Sequence, residues 1–156
     1  MAIRTILHLG DPGLREVARK VNDPATPQIR SLIEDLADTL AFWRKSTGYG
    51  RGIAAPQIGA NLRVIFLKLP GEEPWPLVNP EITWRNAEKI VVWDACLSFL
   101  SIFMQVERHR DIKVRYQDCA RCGTKLARAK SGIFQNSCSM KLTISMASWL
   151  WIASSI

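Results

Sequence analysis

The sequence predicts a single α+β domain in which a long helix is followed by several short antiparallel strands. The chain has 156 residues, 47% of them apolar, which suits one globular domain with its own core. One long stretch carries apolar residues at helical spacing, whereas four shorter stretches are typical of strands. Because the strands follow the helix instead of alternating with helices, a doubly wound parallel sheet is not expected.

Two helices are predicted before residue 45. The turn sequence Asp11-Pro12-Gly13 opens a short helix that Asp23-Pro24 closes. Its apolar residues are Leu14, Val17 and Val21. The second helix runs from about Pro27 to Trp43, and its apolar stripe predicts one face packed on the core. The stripe consists of Ile29, Leu32, Ile33, Leu36 and Leu40.

A glycine-rich loop, residues 46–59, separates the second helix from the strands. A phosphate-binding loop is not expected, because such a loop needs a strand before it and a helix after it. The glycines instead leave backbone that a ligand can approach closely, and the Gln57 amide lies nearby as donor and acceptor. The predicted strands that follow are Leu62–Leu69, Leu77–Trp84, Lys89–Trp93 and Ile112–Tyr116.

The net charge of +7 is distributed unevenly. The last 38 residues, from Cys119, contain five Lys or Arg and no Asp or Glu, so the rest of the chain is nearly neutral. No run approaches the roughly 20 apolar residues of a membrane span, and no secretory signal is recognised at the start. A cytoplasmic protein is therefore expected, with its four cysteines as thiols or metal ligands.

Two motifs carry a resemblance to a known family. GRGIAAPQIG, residues 50–59, is followed by DACLS, residues 94–98. Together they resemble the peptide deformylases, whose motifs read G-Φ-G-Φ-A-A-x-Q-Φ-G and E-G-C-Φ-S. The resemblance extends over residues 1 to about 118. This sequence departs from the pattern at Arg51, where an apolar residue is common, and at Asp94-Ala95, which replaces Glu-Gly.

The resemblance implies hydrolysis of the N-formyl group from the formyl-methionine of nascent polypeptides. In the family one Cys and the two His of an H-E-x-x-H helix hold Fe²⁺ or Zn²⁺, which lowers the pKa of bound water from ~16 towards ~7. Cys96 would be the thiolate ligand, and the Gln57 amide and the Leu97 backbone N–H would hold the oxyanion. The residues expected to contact the substrate are Gly50, Arg51, Gly52 and Asp94.

The H-E-x-x-H motif itself is missing from this chain. The only histidines are His8 and His109, and each is expected to be an ordinary surface or strand residue. One metal ligand of three is therefore present. The resemblance thus predicts a deformylase fold whose central H-E-x-x-H helix is missing or replaced, and a chain that is inactive or severely impaired and does not retain its metal.

The genetic code offers a reason for the missing motif. Because Met and Trp have single codons, shifting the frame by one base forces Glu across Met140-Lys141, Gly across Met146-Ala147 and Asp across Trp151-Ile152. Permitted codons from Ser139 onward then read His-Glu-Ile-Asp-His-Leu-Asp-Gly-Ile-Leu-Ala-Val-Asp-Arg. We therefore predict an incomplete deformylase-like domain over residues 1–118 and an out-of-frame tail over residues 119–156.

Two alternative functions remain open from the sequence. One is a non-catalytic protein that binds nascent N-termini in the groove around Gly52 and Gln57. The other is a basic nucleic-acid-binding protein that uses Cys119, Cys122 and Cys138 as a zinc cluster. The frame argument disfavours the second and makes the apolar Trp149–Ile152 accidental. The expected partners are nascent formyl-Met polypeptides at the ribosome, with no membrane and no specific nucleic acid.

Overall fold

The computed structural model describes residues 2–48, 50–119 and 123–130, and it contains one long helix and seven strands in this part of the chain. The helix, α1, spans Pro27–Thr47. The strands are β1 (Gly52–Ala54), β2 (Val64–Leu67), β3 (Trp75–Arg85), β4 (Lys89–Cys96), β5 (Phe99–His109), β6 (Asp111–Gln117) and β7 (Thr124–Lys130). Two short 3₁₀ turns, Pro12–Arg15 and Ala55–Ile58, complete the fold. The predicted α+β class is confirmed.

Helix α1 begins and ends at recognisable caps. The Thr26 hydroxyl accepts a hydrogen bond from the backbone N–H of Ile29, and the helix stops at Gly48, whose φ of 72° is left-handed. The helix continues four residues past the predicted end, up to the left-handed cap at Gly48, whose N–H donates to the Arg44 carbonyl at 3.0 Å. The predicted stripe packs on the core, where each fully buried leucine contributes about 1.5–3 kcal/mol.

The strands form one five-stranded antiparallel sheet and one separate hairpin. The order in the sheet is β1-β2-β3-β6-β7, and β4 pairs only with β5 among the described strands. All four predicted strands are confirmed, and no end is shifted by more than three residues. The hairpin leaves large apolar side chains exposed along its length: Val91, Trp93, Ile102, Phe103 and Met104. Among the hairpin side chains whose burial is described, those of the turn, Leu97-Ser98, are the buried ones.

The prediction of a short helix from Asp11 to Pro24 is wrong beyond its first turn. The 3₁₀ turn ends at Arg15, and Glu16 is already extended. Val17 is 47% exposed, so the spacing that suggested a helical face does not mark one. The backbone around Arg19 instead bonds to Asn61 and Arg63 beside β2, which satisfies it better than an isolated turn of helix.

Asn79 fastens this extended segment to the sheet. Its φ of 50° is left-handed, a region in which asparagine is tolerated better than most residues. Its side chain accepts from the Val21 N–H and donates to the Val21 carbonyl, both at 2.8 Å, and it also donates to the Gln117 amide oxygen. One side chain thereby joins the N-terminal segment, β3 and β6.

Asp35 anchors the N-terminal residues to α1. This carboxylate is 5% exposed and accepts from the Ala2 N–H at 3.0 Å. It also accepts from Nε and Nη2 of Arg4, at 2.9 and 2.7 Å. The Arg4 hydrogen bond and charge hold the pKa of Asp35 below its ordinary value of 3.8, against the opposing effect of burial.

Strand β7 lies in the segment predicted to be an out-of-frame tail. It pairs with β6 over seven residues, from Gln117↔Thr124 to Asp111↔Lys130, so the sheet continues past residue 118. The domain boundary at that residue stays a prediction. The expected loss or replacement of the central helix, like Cys122, Cys138 and Trp149–Ile152, lies outside the described residues. Within the described ranges, no helix is long and apolar enough to cross a membrane.

Candidate active site

Gln57 lies in the 3₁₀ turn that connects β1 to β2, and it is 1% exposed. The turn ends at Gly59, whose φ of 79° is left-handed. The Gln57 Oε1 atom accepts from the Ala54 N–H at 3.1 Å, and the Gln57 carbonyl accepts from the Leu7 N–H at 2.7 Å. Both ends of the residue are therefore fixed before any ligand arrives.

Cys96 lies where the hairpin turns. Strand β4 ends at Cys96, which pairs with Phe99, so Leu97 and Ser98 form the two-residue turn. The Leu97 side chain joins the core beneath α1, and the Ser98 carbonyl accepts from the Leu9 N–H at 2.9 Å. The body of the protein thus holds the turn, even though most of the hairpin extends away from it.

The Gln57 amide joins these two turns. Its Nε2 atom donates to the Cys96 sulfur at 3.2 Å and to the Ser98 hydroxyl at 3.0 Å, so both amide hydrogens are engaged. The Ser98 N–H also lies 3.5 Å from the sulfur. Two donors therefore point at a sulfur that is only half-buried, an arrangement that favours negative charge on it.

Ser98 is the residue that the sequence analysis did not single out. It is 4% exposed and its hydroxyl accepts one of the two Gln57 amide hydrogens. The DACLS motif contains it, but its partner is 41 positions away in sequence. Only the resemblance of the motif, not a local pattern, could have indicated it.

The glycines of the first motif bring the chain close to the site. Gly50 has a φ of +113°, and a Cβ atom there would lie 3.1 Å from Leu40 Cδ1 and 3.7 Å from Leu97 Cδ2. Gly52 is buried in β1, opposite Leu67 of β2. The structure therefore brings Gly50 and Leu97 together and places Gly52 on the adjoining strand.

The other two predicted substrate-binding residues are less closely tied to the sulfur. Arg51 is half-buried, and its carbonyl accepts from the Lys68 N–H at 2.8 Å, which holds its backbone beside the end of β2. Asp94 lies in β4 opposite Met104, and the structure describes its backbone but not its side chain. Their contact with substrate stays a prediction.

A cavity of about 190 Å³ opens beside Gln57, Cys96 and Ser98. Its walls are mainly apolar and come from the 3₁₀ turn at Pro12–Arg15 and from β2, β3 and β5, and they include Leu14, Val64, Ile65, Pro80 and Phe99. Apolar walls with a few convergent polar groups are typical of small-molecule sites. They also strengthen polar interactions at the sulfur by lowering the local dielectric.

The described residues do not fit the three-ligand metal site that the family resemblance implies. Among them, no group of three or more His, Cys, Asp and Glu side chains is close enough to share an ion. His109 ends β5 ten residues after Phe99, about 33 Å along the strand, and its Nδ1 lies 2.6 Å from the Asn86 carbonyl. His8 is an exposed residue of the N-terminal segment.

Cys119 is the other cysteine that the structure describes. It is half-buried and packs against the core cluster beneath α1. Burial raises the pKa of its thiol, which keeps it protonated at neutral pH and makes it a weaker metal ligand. Its predicted partners in a zinc cluster, Cys122 and Cys138, lie outside the described residues.

The family model described as "Polypeptide deformylase" matches residues 3–136. The chain is 43% identical over 122 residues to a peptide deformylase of Hyphomonas neptunium, a match that covers 76% of this chain and 66% of the relative. It is also 43% identical over 115 residues to one from Desulforudis audaxviator, covering 74% and 71%. The matched segment thus spans about two thirds of these relatives.

Solved structures give the same likeness in three dimensions. The peptide deformylase of Thermotoga maritima superposes with a TM-score of 0.80 and 25% identity, covering 100% of this chain and 95% of the other. The deformylase of Legionella pneumophila gives a TM-score of 0.82 and 27% identity, covering 97% and 81%.

Proposed function

The chain belongs to the polypeptide deformylase family, and from that premise we propose that it descends from hydrolases of the formyl-Met N-terminus but is itself inactive or severely impaired. The observation that carries the proposal is the ligand set. Cys96 is present and held by Gln57, whereas the chain contains no H-E-x-x-H and only two histidines. Members of this family use a metal ion, and the residues described here do not fit one.

The retained residues are those that would bind and polarise the formyl group. We assign Gln57 and the Leu97 backbone N–H to the oxyanion, a type of interaction typically worth about 3–4 kcal/mol per donor in the transition state. The Gln57 amide reaches this role only by releasing Cys96 or Ser98, because both its hydrogens are engaged. Gly50, Arg51, Gly52 and Asp94 are assigned to the peptide backbone of the substrate.

The missing residues are those that would hold the metal and move the proton. An ion with one protein ligand instead of three binds far more weakly, and the Glu that would shuttle the proton is lost with the same motif. Binding and polarisation without a nucleophile give little hydrolysis. We therefore assign the impairment to the chemical step and not to recognition of the peptide.

Two measurements on the purified 156-residue chain test this proposal. Formate release from a formyl-Met tripeptide, with Fe²⁺ or Zn²⁺ added, should stay at the background rate of the buffer. Metal analysis after gel filtration should find far less than one ion per chain. Turnover accompanied by one bound transition metal per chain would contradict the proposed impairment.

A non-catalytic role is the second candidate, and the intact arrangement of Gly50, Gly52 and Gln57 favours it. In this role the chain binds nascent formyl-Met polypeptides at the ribosome in the cytoplasm without cleaving them. Calorimetric titration with formylated and unformylated peptides tests whether the binding that this role requires is retained. Tighter binding of the formylated peptide without formate release supports the binder, whereas stoichiometric zinc on the cysteines supports the nucleic-acid alternative.

A further inference from the structure

An exposed tryptophan lies among basic residues where the ends of β3 and β6 pair. In β6, Ile112, Val114 and Tyr116 are buried, so Lys113 and Arg115 point away from the core. The register of β3 against β6 shifts between Ile82↔Val114 and Trp84↔Lys113, and this bulge places Trp84 on the same face as Lys113.

Trp84 and Lys113 form a preassembled pair on this face. The Lys113 Nζ atom lies 5.5 Å from the centroid of the Trp84 ring, within cation–π distance. The Trp84 side chain is nevertheless 41% exposed. An exposed indole held beside a lysine offers both a stacking surface and a positive charge at one position.

The surrounding charges are mostly positive. Arg115 pairs with Glu81 at 2.6 Å, and both side chains are more than half exposed. The hydrogen bond from Arg115 and its charge lower the pKa of the Glu81 carboxyl, and the charges of Lys20 and Arg63 contribute less in the same direction. Three cations therefore act on one carboxylate, and Lys113 adds a further positive charge beside Trp84.

We propose that this surface, which we call the Trp84 face (Trp84, Lys113 and Arg115), binds the phosphate backbone of single-stranded RNA without sequence preference while Trp84 stacks on a base. Cations that track phosphates together with an aromatic platform are the two elements that such binding needs. An acidic peptide would use the cations but would gain little from the indole. The choice of RNA over DNA rests on the proposed function, because nascent chains emerge beside RNA.

Fluorescence anisotropy of a labelled oligo(U) 12-mer with the full chain, between 50 and 200 mM salt, tests the proposal. Lys113→Ala/Arg115→Ala should reduce the slope of log affinity against log salt by about 1.4, or 0.7 for each phosphate contact, and weaken binding about 25-fold at 0.1 M salt. Trp84→Ala should weaken binding about tenfold, and Trp84→Phe should restore most of that loss.

The matched control is Lys45→Ala/Lys68→Ala, which removes the same charge from α1 and from the residue after β2. An equal loss in the control, no loss with Trp84→Ala, or no binding by the unaltered chain would overturn the proposal. Equal binding of oligo(dT) would overturn the choice of RNA, and equal competition by poly-glutamate would favour an acidic protein partner. Circular dichroism would check that each variant is folded. None of these binding measurements depends on formate release.

Discussion

The amide nitrogen of Gln57 lies 3.2 Å from the sulfur of Cys96, although the two residues are 39 positions apart in sequence. This hydrogen bond, with the one from Gln57 to Ser98, joins the 3₁₀ turn after β1 to the hairpin turn between β4 and β5. Two segments that share no strand pairing are thereby held at one point, and the stability of the site depends on that amide.

Replacing Gln57 by leucine removes the amide and puts an apolar side chain of similar size in its place. The Ala54 N–H and the Ser98 hydroxyl then lose a buried partner, so the free energy of unfolding should fall by about 2–4 kcal/mol. Urea denaturation followed by circular dichroism measures the change. Gln105→Leu, on the exposed surface of β5, is the control and should stay within about 0.5 kcal/mol of the parent. Equal stability of Gln57→Leu and the control would contradict the assigned hydrogen bonds.

The Asp35 carboxylate predicts an acid-dependent contribution to stability. Its pKa is lower in the folded protein than its ordinary 3.8, chiefly through the Arg4 hydrogen bond. Its contribution is therefore full above pH 4 and is lost as the pH falls through the folded-state pKa. Asp35→Asn should lower the free energy of unfolding by about 1–3 kcal/mol at pH 7 and by clearly less at pH 3. A difference from the parent that is equal at both pH values would refute this assignment.

Two substitutions at Asn79, whose φ is left-handed, distinguish the effect of backbone strain from that of lost hydrogen bonds. Asn79→Ala should lower the free energy of unfolding by about 3 kcal/mol, because it loses the bonds to Val21 and Gln117 and keeps an unfavourable φ. Asn79→Gly loses the same bonds without the strain, and should be more stable than Asn79→Ala by about 1 kcal/mol. Thermal and urea unfolding of both variants give the comparison. The reverse order of stability would show that φ is not strained at this position.

Alanine substitutions at Gly50 and Gly71 test how closely the backbone at Gly50 packs against Leu40. Both have positive φ, but a Cβ atom at Gly50 meets Leu40 at 3.1 Å whereas one at Gly71 meets nothing within 4 Å. Alanine at either position incurs backbone strain of about 1–2 kcal/mol. Gly50→Ala should lose about 1 kcal/mol more, because α1 or the Leu97 turn must move. Identical unfolding midpoints for the two variants would argue against close packing at Gly50.

The sequence predicted those elements whose buried faces repeat regularly. The α1 stripe and the alternation of β6 were recognisable because one side of each element packs on the core. Strand β5 was missed because both of its faces are largely exposed, so no apolar alternation marks it. Strand β1 was missed because three residues are too few to show a period.

Local sequence patterns predicted less of the candidate site than of the fold. Neither the spacing of Gln57 and Cys96 nor their surroundings in sequence predicts that they touch, and only the resemblance of two motifs related them. The role of Ser98 depends on the same contact. The position of Trp84 on the same face as Lys113 depends on a bulge in β3, which no pattern in the strand foretold.

Several hydrogen bonds that help to position the Cys96 sulfur lie within residues 7–98, and they involve Leu7, Leu9, Ala54, Gln57 and Ser98. None of these particular bonds requires a residue beyond Ser98. If the predicted frame shift were reversed, the restored histidines would lie beside a thiol and an amide that are already joined by a hydrogen bond. The Cys96 and Gln57 part of the site would then need no further change.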